Sequence, residues 1–184
     1  MKSLSEIDTT SKRASRAAGF SWGAAEEIGK SIRLLELFGL EGIKTLNQYY
    51  KLRKSQKFEN LDLINENNQS EKYTFCPITL GINFLDQIRG IEKFEKIIFS
   101  NVSYPLLILP FLSRSSEVIG KKINLKFDNI EFLLNLNINI KSNLLHQSIP
   151  EVVNKVEINF LENKDNFTEQ EWKSLYKLSE ETFV

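Results

Sequence analysis

The spacing of apolar residues changes period along this chain, and that change constrains its fold more than any other feature. In residues 1–53, apolar and small side chains recur every three to four positions. Over Lys122–Asp128 and Leu134–Lys141 they recur at every second position. The first period belongs to a helix with one packed face, the second to an antiparallel strand with one wet face.

Three helices are predicted in the first block. Ser3 and Glu6 have capping-box spacing, and Leu4, Ile7, Ser11, Ala14 and Ala18 form a small-residue stripe suited to close packing, with Gly19 as the stop. Ser21 is placed to cap a second helix, from about Trp22 to Phe38, ended by Gly39. A third runs from about Glu41 to Arg53. Residues 54–72 are polar, and Asn67-Asn68-Gln69-Ser70 reads as a loop at the boundary between a helical and a β part.

The middle of the chain reads as sheet. Lys96–Phe99 is a short strand, and Leu106–Leu112 is a buried run bounded by Pro105 and interrupted by Pro110. The two alternating runs predict a hairpin turning at Asp128-Asn129. Val152–Leu161 is another strand, with Val156, Ile158 and Phe160 on one face. Thr168 and Glu171 form a second capping box, opening a C-terminal helix whose apolar face carries Trp172, Leu175, Tyr176 and Leu178. The expectation is one α+β domain over residues 1–184, with a helical subregion 1–53 and a sheet-rich subregion 73–184. An N-terminal helical layer packs on a mostly antiparallel β-sheet, with a C-terminal helix.

Charge narrows the classes of function. Lys plus Arg equal Asp plus Glu at 24 each, so the net basic charge used to displace counterions from nucleic acid is missing. The balance is uneven along the chain: +5 over residues 1–58, −1 over 59–150 and −4 over 151–184. The two ends are therefore expected to lie against each other, within the chain or across a homo-oligomer. The opening residues lack the apolar core of a secretory signal, and Pro105–Leu112 is much shorter than the ~20 residues of a membrane span. With the single cysteine, Cys76, this predicts a cytoplasmic protein without membrane contact.

The segment richest in chemical possibility is Gly19–Arg33. Helical spacing aligns Trp22, Glu26, Gly29, Arg33 and Glu36, next to a core-facing stripe of Ile28, Ile32 and Leu35. A glycine inside a helix costs ~1 kcal/mol, so something approaches the backbone at Gly29. As a ligand site, with Ser21 at the helix start, Trp22 is a platform, Glu26 and Arg33 hold a polar ligand, and Gly29 leaves room. As a structural element, Trp22 anchors the core, Gly29 lets helices touch, and Glu26 pairs with Arg33.

The stretch Ser3-Leu4-Ser5-Glu6-Ile7, followed by Ala17-Ala18-Gly19-Phe20-Ser21-Trp22-Gly23-Ala24-Ala25-Glu26-Glu27-Ile28-Gly29, resembles the opening of an uncharacterised, mainly proteobacterial family with a domain of unknown function. The closing Leu178–Val184 is similar to a stretch near that family's C-terminus. The resemblance implies no activity, substrate or cofactor.

Other candidates are weaker. His146, the only histidine, reads as a solvated loop residue, and Cys76, extended before Pro77, as an inert buried thiol. There is no zinc-ligand spacing, no phosphate loop and no dinucleotide fingerprint, so no metal and no cofactor is expected. The leading expectation is a non-catalytic binding or accessory protein that uses the Trp22–Arg33 face for a partner chain or a small polar metabolite. The alternative is a small enzyme with a pocket between that helix and the sheet, using Glu26 as base and Arg33 as anion clamp, supported by Cys76 or His146.

Overall fold

A computed structural model of the chain describes residues 2–135, 139–143, 148–162 and 164–183. Helices α1 (Leu4–Ala17), α2 (Trp22–Leu37) and α3 (Gly42–Arg53) form the first layer. Their ends are made as the sequence predicts. Ser3 and Glu6 form a reciprocal capping box, Ser21 Oγ accepts the Ala24 amide, and the chain leaves α1 and α2 through Gly19 and Gly39 in the left-handed conformation. Glu41 at the start of α3 offers no side-chain cap. Glu36, near the end of α2, accepts the Ile43 amide at 2.8 Å instead, so a carboxylate of one helix serves the positive end of the next.

The polar boundary segment is not a free loop. Asn67–Asn68 forms a two-residue parallel edge strand, β1, paired with β2 (Lys96–Ser103). Its anchor is a side chain: the Asn68 amide donates to the Asn65 carbonyl at 2.7 Å and the Ile98 carbonyl at 3.0 Å, while its oxygen accepts the Asn65 amide. Buried Asn68 thus meets its hydrogen-bonding needs locally, which composition alone could not reveal.

Two helices occupy the middle of the sequence. Pro77 opens α4 (Pro77–Ile91), with Cys76 extended ahead of it. The Leu106–Leu112 run, expected within the sheet, is a 3-10 turn (Pro105–Leu107) leading into α5 (Leu109–Ile119). Both prolines sit in first turns, where a missing amide hydrogen breaks no bond. The run is apolar on every side, so its period could not distinguish strand from helix. It is buried on every side as well: Leu106, Leu107, Ile108, Leu109, Phe111 and Leu112 all lie in the core.

The sheet follows the order β1-β2-β6-β3-β4-β5, with β3 Lys122–Phe127, β4 Ile130–Asn135, β5 Asn139–Ser142 and β6 Val152–Leu161; all pairings but β1–β2 are antiparallel. The β3–β4 hairpin turns at Asp128-Asn129, where Asp128 has φ 49°. Leu134–Lys141, expected as one strand, is instead the end of β4 and the start of β5, with Leu134 opposite Ile140 and Asn135 opposite Asn139. Residues paired across antiparallel strands share a face, so Leu134 and Ile140 keep one phase, while residues 136–138 lie outside the described residues. Asn101, at φ 47°, shifts the phase within β2: Ile97 and Phe99 are buried before it and Val102 after it. Their partners on β6, Ile158, Val156 and Val153, are buried with the same shift of phase.

The architecture is α+β as predicted, with a helical layer, a mostly antiparallel sheet and a C-terminal helix. Between the N-terminal layer and the sheet lie α4, the 3-10 turn and α5. Phe84 of α4 stacks on Phe160 of β6 at 6.2 Å, and Tyr49 of α3 meets Tyr104 edge-on at the same separation. The far face of the sheet is polar, centred on Glu157 with Lys96 at 3.0 Å and Lys155 at 2.8 Å. Helix α6 (Glu169–Glu180) carries the predicted Thr168–Glu171 capping box and continues into a 3-10 end (Glu181–Phe183). Every residue of α6 is exposed, so it is not buried against the basic N-terminal helices of its own chain.

The packing predicts how two positions respond to change. Hydrogen bonds from Lys155 and Lys96 hold the Glu157 carboxyl down at about 2, against 4.5 ordinarily. Its contribution to stability is therefore complete above about 4.5 and lost as pH falls toward about 2. Denaturant titrations should show the stability gap between the wild type and Glu157→Gln closing across that window. Gly81 faces the buried ring of Phe111, leaving no room for a methyl group where α4 crosses α5. Gly81→Ala should lower unfolding free energy by about 1–3 kcal/mol, read from the denaturation midpoint at unchanged slope.

Candidate functional site

Helix α2 divides the predicted site between its two faces. Trp22, Glu26 and Arg33 share an outward stripe. Trp22 is 65% exposed and Leu37, at the far end of the same stripe, 57%. The Arg16 guanidinium lies 4.7 Å from the Trp22 ring centre, while its Nη1 donates to the Phe20 carbonyl. This pins the guanidinium over the indole and leaves the other ring face open to solvent. Glu26 pairs with Lys30 at 3.1 Å, one turn along, not with Arg33. Arg33 is exposed and makes no ion pair among the described residues. The ridge thus has an aromatic end, an aliphatic end and a charged middle.

Ser21 and Gly29 do different work. The Ser21 hydroxyl caps its own helix, accepting from the Ala24 amide at 3.2 Å. Gly29 is buried under α1: a β-carbon there would stand 2.6 Å from Asp8 Oδ1 and 2.8 Å from the Asp8 carbonyl oxygen. The close approach expected at Gly29 is made by a neighbouring helix, and the room it leaves is filled.

The inward face of α2 holds a tie absent from the sequence reading. Glu27 forms an ion pair with Arg114 of α5 and another with Lys30 at 3.2 Å. Burial raises the Glu27 pKa, but the hydrogen bonds and charges of Arg114 and Lys30 outweigh it and hold the group below its ordinary value. Arg114 also stacks 5.1 Å from the Phe111 ring centre. Helix phase turns Glu27 off the stripe that holds Glu26, but no local pattern in the sequence names Arg114 as its partner.

Cys76 lies far into the core. Its Sγ is 3.0 Å from the Tyr49 hydroxyl, which also accepts from Arg53 Nη1 at 3.3 Å. Burial first, then Cys76, pushes the Tyr49 phenol well above its ordinary pKa. The thiol is 1% exposed, so it stands apart from the α2 ridge. His146 lies outside the described residues.

Three cavities are notable, and none is walled by the predicted site residues. An open one of about 720 Å³ at the sheet end is lined by Lys121, which is paired with Glu92 at 3.4 Å and Glu162 at 2.9 Å. A polar cleft of about 300 Å³ lies between α3 and Tyr104. There Gln48 donates to Glu151 at 3.3 Å, and Tyr104, at φ 45°, donates its amide to the Glu151 carbonyl at 2.6 Å. A third, of about 230 Å³, is an apolar groove between α1 and α3 over Ile7, Ala14, Ile43, Leu46 and Tyr50. Among the described residues, no group of His, Cys, Asp and Glu has the arrangement of a metal site, and no helix is long and apolar enough to cross a membrane.

Residues 2–74 match the family model described as Protein of unknown function (DUF3726). The DUF3726 match takes in α1, α2, α3 and the β1 edge strand, and stops before α4. It therefore contains the whole α2 ridge and the α1/α3 groove, and leaves out most of the sheet and α6. The chain matches no curated protein and no solved structure.

The two faces of α2 should respond differently to substitution. Gly29→Ala should separate α1 from α2 and cost about 1–3 kcal/mol. Glu26→Gln and Arg33→Ala should leave stability within about 0.5 kcal/mol of the parent chain. Thermal melts of the three variants side by side check this.

Proposed function

We propose that the chain is a non-catalytic cytosolic accessory protein that binds a partner protein through the α2 ridge of Trp22, Glu26, Arg33 and Leu37. The observation carrying this reading is the exposure of Trp22, with the Arg16 guanidinium over its ring, on the outward face of α2. An exposed tryptophan on one stripe with an arginine that pairs with no acid among the described residues is the composition of a protein-contact hot spot. A small polar metabolite would need a concave, water-excluding site, and the ridge has no such enclosure. The alternative, an enzyme with a pocket between α2 and the sheet, meets α5 in that space, with Glu27–Arg114 and Phe111 filling it. Balanced charge over the whole chain supports a protein partner over a nucleic acid.

Native mass spectrometry of the protein, purified gently from its own cells, tests the reading. The expected spectrum contains an added mass that is not a multiple of the chain's own. Trp22→Ser combined with Arg33→Glu should remove that mass while the melting temperature stays unchanged. A spectrum holding only the bare chain or its multiples, or an added mass that survives the double substitution, would overturn the proposal.

A further inference from the structure

We propose that a second copy of this chain covers α6, and that the α6 helix of each protomer seats in the α1/α3 groove of the other. The surfaces involved are separate from the α2 ridge.

The argument starts from α6. It is a complete 12-residue helix with a capping box. Isolated helices of that length are marginal in water, and most helices persist because one apolar face is covered. On α6 that face is bare: Trp172 is 50% exposed, Leu175 62% and Tyr176 58%. These three stand at i, i+3 and i+4, the anchor spacing of a helix that lies in a groove, with Leu178 at the edge of the stripe. Phe167, before the helix, stacks on Trp172 at 5.6 Å and extends the apolar surface.

The groove is the complementary feature. Helices α1 and α3 both rest against α2, and the furrow between them is floored by Ile7, Leu46 and Tyr50 and edged by Ile43, 40% exposed. The polar group beneath it is already satisfied: Tyr50 donates to Ser15 Oγ at 2.5 Å, and Ser15 to the Ser11 carbonyl at 2.6 Å. What the groove presents is therefore apolar surface with its underlying hydroxyls already bonded, as a helix face of Trp, Leu and Tyr requires.

Charge selects the occupant. The groove's own charged residues, Lys2 and Glu6, pair with each other at 3.7 Å, so the basic excess lies on the helices that bound it. Helix α3 carries Lys51 and Arg53 with no acid, besides Lys44 paired with Glu41 ahead of it, and α1 carries Lys12 and Arg13 against Glu6 and Asp8, besides Arg16, which is held at Trp22. The C-terminal helix and its 3-10 end carry Glu169, Glu171, Glu180 and Glu181 against Lys173 and Lys177. Bounding helices of net positive charge and an acidic amphipathic helix on the same chain make the two surfaces complementary. Two copies can satisfy them reciprocally about a two-fold axis, which closes the assembly and buries both apolar faces.

Light scattering after size exclusion, run on the full chain over a range of concentrations, should give twice the chain mass, with dissociation rising as salt is added. Trp172→Glu with Leu175→Glu, on α6, and Ile43→Glu, in the groove, each alter exposed positions. Each should raise the dimer dissociation constant at least about tenfold with an unchanged circular dichroism spectrum. Mixing the two variants should restore a weakened dimer, because a mixed pair keeps one intact helix–groove contact. A monomer at every concentration would overturn the proposal. So would a dimer that survives either substitution, or a mixture that stays monomeric.

Discussion

The Leu106–Leu112 segment is apolar around its whole circumference, and the fold is organised by the need to dry all of it. A helix with one apolar stripe can sit on a surface, but one without a polar face must be enclosed. The 3-10 turn and α5 meet the sheet on one side, α4 alongside, and the N-terminal helices above. The sheet covers them on one side only, and α4 with the N-terminal helices covers the rest. Among the described residues, the Glu27–Arg114 pair is the ionic link across the α2–α5 boundary, and removing one partner would leave the other poorly solvated. Position along the enclosed segment also decides which face of α2 is free: Ile28, Ile32 and Leu35 turn inward, so Trp22, Glu26 and Arg33 turn outward.

Where local chemistry determines structure, the sequence is readable. Both capping boxes, the Ser21 cap, the three N-terminal helices, the Asp128-Asn129 hairpin and the β6 strand all occur as their residues predict. Expectation and structure part where one signal is shared by two structures. Leu106–Leu112 has no period at all. Leu134–Lys141 has one period in sequence but contributes to two antiparallel strands, β4 and β5. Asn67–Asn68 looks like a loop because its amides resemble turn residues, and it becomes a strand only because Ile98 is there to accept a hydrogen bond. Pro77 has the same ambiguity: it holds Cys76 extended and equally begins α4, and only the second effect creates an element.

The candidate site is legible in part. Spacing alone places Trp22, Glu26 and Arg33 on one stripe and demands a close approach at Gly29. It does not say which element makes that approach, because the answer, Asp8 of α1, depends on how two helices cross. Spacing turns Glu27 about 100° away from Glu26 but does not give it a partner, because Arg114 reaches it only through the way α5 crosses α2. The Tyr49–Cys76–Arg53 cluster joins residues 49 to 76 through tertiary packing, for which no local pattern exists.

The two rims of the sheet govern how the protein behaves in a crowd. An exposed strand edge is an adhesive for other strands. Here one edge is β1, only two residues long and followed by a chain turn that Glu59 fastens by accepting the amides of Glu71, Lys72 and Tyr73. The other is β5, four residues long and bearing Lys141. Neither offers the long, flat, uncharged rim on which amyloid-like stacking begins, even though the strands inside are rich in Ile, Leu, Phe and Val. The sheet is thereby kept from sticking to its copies, and association is left to helices, whose contacts are finite and close on themselves.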